Sequence, residues 1–553
     1  MASWKSTGTY VDEVPPPGAN IVDGTWILRV KRPPGSPPAL RYVARCFNQR
    51  EGVEFFHTFS PTPKMTTLRV LLHDAALRDN ELHSLDFSTA FLQGSLQEAI
   101  YLRQPVYGLR QAPREWHDTL RTTLAALGFS PSTADPSLFL RTDTSLPPFY
   151  VLVYADDLVF AAVDTEALAL VKAELLERHT CTYLGELRSY LGLQITLTQS
   201  HMVQQVLQRF AFTWSSPQPT PLSTGHSLAA PPSDESVEPS GPYPELVGCL
   251  IYMMTCTRPD LAYPLSLLAR YVAPGRHRKI HWDAAKRVLR YLCSTSGMGL
   301  VLGGPGPVVL IGHSDVSWAD EQTTHHCEAE FYAGAMAAQE LRWLTYLLTD
   351  LGEQPRSPPI RYVDNKAMIA LCPDQRLEHI MKHVALRYFL TRELQQCGQL
   401  RLAYVATQAN TADVFTKALG SSDHKRFCTA LGLVPTLPHL LDCTCTLCSS
   451  HPTAPCAAAA TGLGYFSHAV AAAVGVIGAA GDGGAAAAGA IGAAAGAVGA
   501  DAGAVSAAAG AIGGAAGAVG AAAGAVGAAA GAVGACATAT TGGGEGIRHS
   551  VTK

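Results

Sequence analysis

Two adjacent aspartates, Asp156 and Asp157, have the spacing and surroundings of a divalent-metal site. They lie between two short runs rich in β-branched and aromatic residues, a pattern that predicts a β-hairpin over residues 150–162 with the carboxylates at its turn. Aspartate is also a favoured turn residue, so a solvated turn is the alternative interpretation. Because the flanking residues are apolar enough to be buried, the pair would sit on a rigid tip, and Mg²⁺ prefers such hard oxygen ligands.

A third carboxylate, Asp86, could complete this site. Two-metal phosphoryl transfer needs a further carboxylate from elsewhere in the fold. Asp86 follows the strand-like Leu85 and precedes a helix-like Ala-Phe-Leu sequence. The alternative is that Asp86 caps that helix, since aspartate is a common N-cap residue.

The order of these motifs along the chain resembles that of the reverse transcriptase of copia-type LTR retrotransposons. The resemblance is carried by L-D-F-S-T-A-F-L-Q-G at residues 85–94, Y-G-L-R-Q-A-P-R-E-W at 107–116 and Y-A-D-D at 154–157. Shorter blocks agree with it at residues 49–52, 58–61, 190–193, 257–260 and 284–289. The match covers roughly residues 24–420.

The resemblance implies an RNA-directed DNA polymerase with right-hand fingers and palm. Its partners would be an RNA template, a DNA primer and deoxynucleoside triphosphates, and no membrane is expected. Asp86, Asp156 and Asp157 would bind two Mg²⁺ (or Mn²⁺) ions. One ion would activate the primer 3′-hydroxyl, and the other would hold the triphosphate and the leaving pyrophosphate.

The same resemblance suggests residues that bind the nucleotide. Tyr107 and Gly108 fall where the family forms its nucleotide pocket. Arg45, with Arg41 as a second candidate, lies in the fingers region that contacts the triphosphate. Solvated surface charge is the alternative interpretation of both arginines.

Residues 308–420 resemble the ribonuclease H domain that follows the polymerase in this family. That domain uses four carboxylates and two metal ions to hydrolyse the RNA strand of an RNA–DNA hybrid. The matching positions are Asp315, Glu330, Asp364 and Asp413, with Glu328 as the alternative to Glu330.

The chain departs from the family at three places. Asp315 and Glu330 are 15 residues apart. The ribonuclease H fold places two strands between them, which would need about 25 residues or more. We therefore predict that the sheet lacks its second and third strands and that the domain is misfolded or inactive. The sequence also reads as internally shortened after Gln104-Pro105 and within residues 41–48.

Helix and strand patterns predict α+β and α/β architecture in several units. With the identities that the resemblance implies, the predicted units are an N-terminal segment 1–23, fingers and palm 24–214, a linker 215–242, a helical thumb or connection 243–300, a shortened ribonuclease H-like domain 301–422 and a low-complexity, disordered tail 423–553. The tail is rich in Ala and Gly and repeats every seven residues from Gly489.

The composition excludes binding of nucleic acid by bulk charge, because 41 Lys and Arg face 45 Asp and Glu for a net charge of −4. The N-terminus lacks the apolar stretch of a signal peptide, and most of the 14 cysteines are scattered singly, so an intracellular location in cytoplasm or nucleus is expected. Cys443, Cys445 and Cys448 match neither paired zinc sites nor a zinc knuckle.

Two alternatives to an active enzyme stay open. One is a catalytically inactive remnant of a retroelement, which the internal deletions favour. The other is a domesticated nucleic-acid-binding protein, for which the strongest basic cluster is Arg276-His277-Arg278-Lys279. The sequence gives no oligomeric state.

Overall fold

The computed structural model describes residues 13–29, 39–88, 90–94, 96, 100–102, 109–186, 194–213, 215–225, 228, 242–273, 276–303, 308–315, 326–366, 369, 385–436 and 469–470. Its strands are β1 (Ile21–Val22), β2 (Gly24–Arg29), β3 (Ala39–Ala44), β4 (Glu81–Phe87), β5 (Tyr101–Leu102), β6 (Phe129–Pro131), β7 (Leu138–Arg141), β8 (Phe149–Tyr154), β9 (Asp157–Ala162), β10 (Cys181–Glu186), β11 (Gln194–Leu197), β12 (Met298–Gly303), β13 (Val309–His313), β14 (Ile360–Val363), β15 (Arg401–Tyr404), β16 (Leu433–Pro435) and β17 (Ala469–Val470). Its α-helices are α1 (Met65–Arg78), α2 (Ala112–Ala126), α3 (Thr165–Arg178), α4 (Ser200–Arg209), α5 (Tyr243–Cys256), α6 (Ala262–Leu268), α7 (Lys279–Ser294), α8 (His326–Asp350), α9 (Ala385–Gln396), α10 (Asp413–Thr416) and α11 (Ser421–Ala430).

A six-stranded antiparallel sheet in the order β10-β4-β9-β8-β7-β6 lies in the region predicted to contain the palm, and we call it the palm sheet, or palm. The predicted hairpin is present as β8 and β9, which pair from Phe149 opposite Ala162 to Tyr154 opposite Asp157. Because side chains alternate between the two faces of a strand, both faces of this apolar hairpin have to be covered.

The two faces of the palm sheet pack against different helices. Phe149, Val151 and Val153 of β8 belong to a core shared with α2 and α3. The alternate residues Tyr150 and Leu152 belong to a second core, shared with α1 and α8. The palm sheet therefore forms the middle layer between α2 and α3 on one face and α1 and α8 on the other.

The helical region after the palm has its own core, formed by α4 to α7. The prediction that residues 215–242 form only a polar linker is wrong in part, because Leu222 and Leu228 are buried in this core. The prediction that residues 243–300 are helical holds for α5 to α7, but the segment ends in strand β12. That strand pairs with β11 and β16 in a three-stranded antiparallel sheet.

The C-terminal unit contains three parallel strands in the order β15-β14-β13, and Ala469–Val470 pairs with the free edge of β13.

The predicted absence of two strands before α8 falls largely on residues 316–325, outside the described residues. The predicted tail boundary at residue 423 is wrong, because α11 and β16 occupy residues 421–435. The repeats from Gly489, the cysteines at 443–448 and the shortened segment after Pro105 lie outside the described residues.

Candidate active sites

The turn between β8 and β9 consists of only two residues, Ala155 and Asp156. Ala155 has a φ of 51°, in the left-handed region that favours glycine. A positive φ at the first of two loop residues is what a type II′ hairpin turn requires. This tight turn places Asp156 at the tip and Asp157 at the first position of β9.

Two contacts from outside the hairpin fix the backbone of the turn. The Phe87 amide at the end of β4 donates to the Asp156 carbonyl oxygen at 2.8 Å. The Trp116 indole N–H of α2 donates to the Ala155 carbonyl oxygen at 3.0 Å. Trp116 is buried, so the carboxylates are held on a backbone clamped between the sheet and a packed helix.

Asp86 and Asp157 are directly opposite each other in the antiparallel register of β4 and β9. Directly opposed residues have Cβ atoms about 5 Å apart. Burial, together with the charge of Asp86, raises the pKa of the Asp157 carboxyl above its ordinary value. The structure thus brings the three carboxylates predicted from the sequence to one end of the palm.

A cavity of about 240 Å³ adjoins this end of the palm. Its walls include Trp116, Val153 and Ala155 from the palm side, and Phe91. The segment Thr58, Ser60, Pro61 and Thr62 lines it as well. The carboxylate site therefore borders a space that an approaching substrate could enter.

A second acidic cluster lies at the ends of the parallel strands. Asp315 follows β13, Asp364 follows β14, and Asp413 begins α10 after β15. Because the carboxyl ends of parallel strands meet at one sheet edge, these side chains converge. Ligand oxygens of all three lie within 4.8 Å of one another, and Asp315 and Asp413 are buried.

Lys417 lies within this second cluster. Its Nζ is 3.1 Å from Asp315 Oδ2 and 2.9 Å from Asp413 Oδ1. The Thr416 hydroxyl also donates to Asp315 Oδ2. Burial and the charge of Asp315 raise the pKa of Asp413 to about 6, although the hydrogen bond from Lys417 opposes the shift. The sequence did not predict Lys417 as a site residue; it lies four residues after Asp413, directly after the end of α10.

The remaining predicted site residues are placed as follows. Glu330 and its alternative Glu328 lie on α8, whose side chains at these positions are outside the description. Arg45 is exposed, and its amide donates to the Asp23 carbonyl oxygen at 2.8 Å. Arg41 lies on β3, while Tyr107 and Gly108 fall outside the described residues.

Comparison with known proteins identifies the family of the part of the chain that contains the palm sheet. Residues 14–106 and 104–224 match the family model for reverse transcriptase (RNA-dependent DNA polymerase). The two matched segments meet at residues 104–106, where the spacing of the sequence predicted a deletion. These findings place the chain in a family of RNA-directed DNA polymerases.

The relatives give the particular family. The chain is 32% identical over 481 residues to the Pol polyprotein of transposon RE2 of Arabidopsis thaliana, covering 77% of this chain and 33% of that protein. It is 30% identical over 487 residues to that of transposon TNT 1-94 of Nicotiana tabacum, covering 76% and 36%. It is 32% identical over 259 residues to a putative transposon Ty5-1 protein of Saccharomyces cerevisiae, covering 42% and 83%.

The chain belongs to the reverse transcriptase region of copia-type retrotransposon Pol polyproteins, and the predicted resemblance is confirmed. It spans about a third of the length of the curated Pol polyproteins that it matches. Within the described part of the chain, the helices are too short or too polar to cross a membrane.

Proposed function

We propose that this chain catalyses RNA-directed DNA synthesis at Asp86, Asp156 and Asp157. The observation that carries the proposal is the register of the palm, which sets Asp86 opposite Asp157 beside a two-residue turn that holds Asp156. The substrates would be a DNA primer on an RNA template and deoxynucleoside triphosphates. The reaction is in-line attack of the primer 3′-hydroxyl on the α-phosphate of the nucleotide, with release of pyrophosphate.

The residues at the palm end fit divalent cations. Two carboxylates that face each other repel, and this repulsion contributes to the raised pKa of Asp157. A site of this kind accepts positive charge and offers the oxygen ligands that Mg²⁺ or Mn²⁺ prefers. When bound, such ions would lower the pKa of the attacking hydroxyl and neutralise charge on the leaving pyrophosphate.

The protein's own contribution is to position these carboxylates. The Phe87 amide and the Trp116 indole hold the turn backbone, so little reorganisation is needed when substrate arrives. We place nucleotide binding at the adjoining cavity, with Tyr107, Gly108 and Arg45 as the candidate contacts from the sequence.

We further propose that Asp315, Asp364 and Asp413 are the remains of a ribonuclease H site, with Glu330 as the fourth carboxylate. Their convergence within 4.8 Å supports this origin, and the site would take the same divalent ions. The short connection between Asp315 and Glu330 leads us to expect that cleavage of RNA–DNA hybrids is lost. Hybrid cleavage that disappears in an Asp364→Asn variant would overturn that expectation.

Primer extension by the full chain tests the polymerase proposal. The assay uses poly(rA)/oligo(dT), dTTP and Mg²⁺, and compares the wild type with the double variant Asp156→Asn, Asp157→Asn. Loss of metal ligands should lower extension at least about a hundredfold. The matched control is Asp143→Asn, an exposed aspartate of a distant turn, which should leave extension unchanged.

Either alternative to the enzyme would give a distinct result. Extension that survives in the double variant would show that the site assignment is wrong. A folded wild type that extends no primer but binds primer–template would favour a domesticated binding protein. A folded chain that does neither would favour an inactive remnant.

A further inference from the structure

Strand β13 of the C-terminal unit has a partner on each of its two edges. On one edge it pairs in parallel with β14. On the other edge it pairs in parallel with β17, where Val309 lies opposite Ala469 and Leu310 lies opposite Val470. Leu310 and Val470 are 160 residues apart in the chain. The sheet is therefore continued on this side by a segment from far along the sequence.

The edge that β17 covers belongs to a strand of the core. Leu310 is buried and shares a core with Leu341 of α8 and Leu71 of α1. A Cβ atom at Gly312 would lie 2.9 Å from Leu341 Cδ1, so α8 lies directly on β13. A bare edge at such a strand leaves backbone N–H and C=O groups without partners, which costs free energy and invites pairing with another chain.

The chain that directly follows β13 is too short to cover this edge. Residues 314–325 are all that separates β13 from α8. Two further strands with their turns would need about 25 residues or more. A strand that continues the sheet beyond β13 then has to come from a distant part of the chain or from another molecule.

The sequence around β17 suits a parallel strand. Residues 465–477 contain no Asp, Glu, Lys, Arg or Pro, and parallel strands typically have such continuous apolar runs. Aromatic and β-branched residues, which favour strands, occur here at Tyr465, Phe466, Val470, Val474, Val476 and Ile477.

The repeats after Gly489 suit a strand less well. They contain the same Ala-Val dipeptide several times, for example at Ala504-Val505, but each time directly after a glycine. Glycine inside a strand weakens it, because it adds backbone entropy and has no side chain to pack. The sequence thus distinguishes the dipeptide at 469–470 from those of the repeats.

We propose that the edge of β13 is a strand-addition site and that its occupant is the segment at Ala469–Val470 of the same chain. Main-chain pairing supplies the recognition. Two paired residues form a weak contact by themselves, but the covalent connection raises the effective concentration of the segment at the edge. The segment completes the sheet of the C-terminal unit, and this role does not depend on catalysis at either acidic cluster.

Disulfide trapping in the full chain tests the pairing. Paired residues of neighbouring strands have Cα atoms about 5 Å apart, within the range that a disulfide spans. The variant Val309→Cys, Ala469→Cys should form a bond between these two positions under mild oxidation, identified by mass spectrometry of proteolytic peptides. The matched control Val309→Cys, Ala504→Cys carries its second cysteine in the same dipeptide of a repeat, and it should form at least about tenfold less of the corresponding bond.

Isotope labelling decides between the same chain and a second copy. Equal amounts of ¹⁵N-labelled and unlabelled Val309→Cys, Ala469→Cys are mixed under reducing conditions and then oxidised. Each cross-linked peptide pair should be wholly labelled or wholly unlabelled. Pairs that combine both isotopes would assign the edge to a second copy and overturn the proposed occupant. Equal bond formation in the variant and its matched control would overturn the pairing itself.

Hydrogen exchange measures what the segment does for the sheet. The variant Ala469→Pro, Val470→Pro removes two backbone N–H groups and disfavours the paired conformation. Peptides that cover β13 should exchange at least about tenfold faster than in the wild type, whereas α5, which packs in a separate core, should keep its rates. The matched control Ala504→Pro, Val505→Pro should exchange as the wild type does. Wild-type rates at β13 in the Ala469→Pro, Val470→Pro variant would show that the segment does not cover the edge.

Discussion

At the scale of single residues, Lys417 affects how strongly the second acidic cluster can bind a metal ion. Lys417 contacts both Asp315 and Asp413, so its ammonium group occupies the side of the cluster where a cation would bind. A fixed positive charge at about 3 Å opposes a divalent ion both by repulsion and by taking up ligand oxygens. The Lys417 ammonium therefore neutralises part of the negative charge of the three carboxylates.

We predict that Lys417→Met tightens Mn²⁺ binding at this cluster by about tenfold or more. Isothermal titration calorimetry measures the Mn²⁺ affinity. The chain also carries Asp156→Asn and Asp157→Asn so that the palm site does not contribute. Lys425→Met, at an exposed lysine of α11, is the control and should leave the affinity unchanged. Equal binding in Lys417→Met would mean that the lysine does not oppose the metal ion, and weaker binding would mean that it supports the metal site.

The buried Asp74 of α1 should make the stability of the fold depend on pH. Burial raises the pKa of Asp74 to about 6, although the Arg78 guanidinium at 2.9 Å opposes the shift. A carboxyl with a raised pKa in the folded state contributes stability below its unfolded pKa, and this contribution is lost as the pH rises through about 6. The whole shift corresponds to no more than about 3 kcal/mol.

Asp74→Asn stays neutral at every pH, so we expect its Tm to fall less than that of the wild type between pH 4 and pH 7.5. Thermal unfolding followed by circular dichroism at several pH values measures this difference. Parallel Tm curves for the two proteins would show that Asp74 does not titrate in this range.

At the scale of elements, the β8–β9 hairpin combines a strained turn with a firmly packed base. A non-glycine residue in the left-handed region costs about 1–2 kcal/mol, and glycine avoids most of it at some cost in chain entropy. Ala155→Gly should therefore raise the Tm slightly, by an amount equivalent to about 0.5–1 kcal/mol. Ala155→Val should lower it, because a β-branched side chain is disfavoured at a φ of 51°. Differential scanning calorimetry compares the Tm of both variants with that of the wild type. A higher Tm for Ala155→Val would show that the turn is not strained at Ala155.

The sequence predicted helices, strands and site residues correctly where local sequence patterns are strong. Two β-rich runs on either side of Asp156 and Asp157 predicted the hairpin, and the order of motifs along the chain predicted the three palm carboxylates. Contacts between distant parts of the chain could not be predicted from such patterns. Lys417 resembles an ordinary helical partner of Asp413 until the fold brings Asp315, 102 residues earlier in the chain, beside it. The ordered residues 421–435 were assigned to the tail because their pairing partner β12 lies more than a hundred residues away.

At the scale of the whole molecule, the C-terminal unit covers one face of the palm. Leu344 and Leu348 of α8 share a core with Leu71 and Leu152. The Tyr150 hydroxyl donates to the Leu351 carbonyl oxygen at 2.7 Å. A polymerase fragment that ended near residue 300 would expose this face to water, so the C-terminal unit supports the palm whether or not its own carboxylates are active.

Polar contacts fix how α8 lies on the palm. The Trp343 indole N–H donates to the Ala134 carbonyl oxygen at 2.8 Å, and Lys64 Nζ lies 3.7 Å from the centroid of the Trp343 ring. Asp350 accepts hydrogen bonds from the Ser132 hydroxyl at 2.6 Å and from the Thr133 amide at 2.9 Å. These contacts orient the helix, while the leucines supply the buried area.

We therefore predict that Trp343→Ala destabilises the palm as well as the C-terminal unit. Loss of a half-buried tryptophan with its hydrogen bond should lower stability by about 2–4 kcal/mol. Limited proteolysis should then cut palm strands β6 to β8 faster, and any primer extension should fall at temperatures where the wild type is still active. Tyr346→Ala removes an exposed aromatic ring of the same helix and should have little effect. Faster cleavage confined to residues after 300, with the palm as resistant as before, would mean that the two units are stable independently and that the shared core does not support the polymerase.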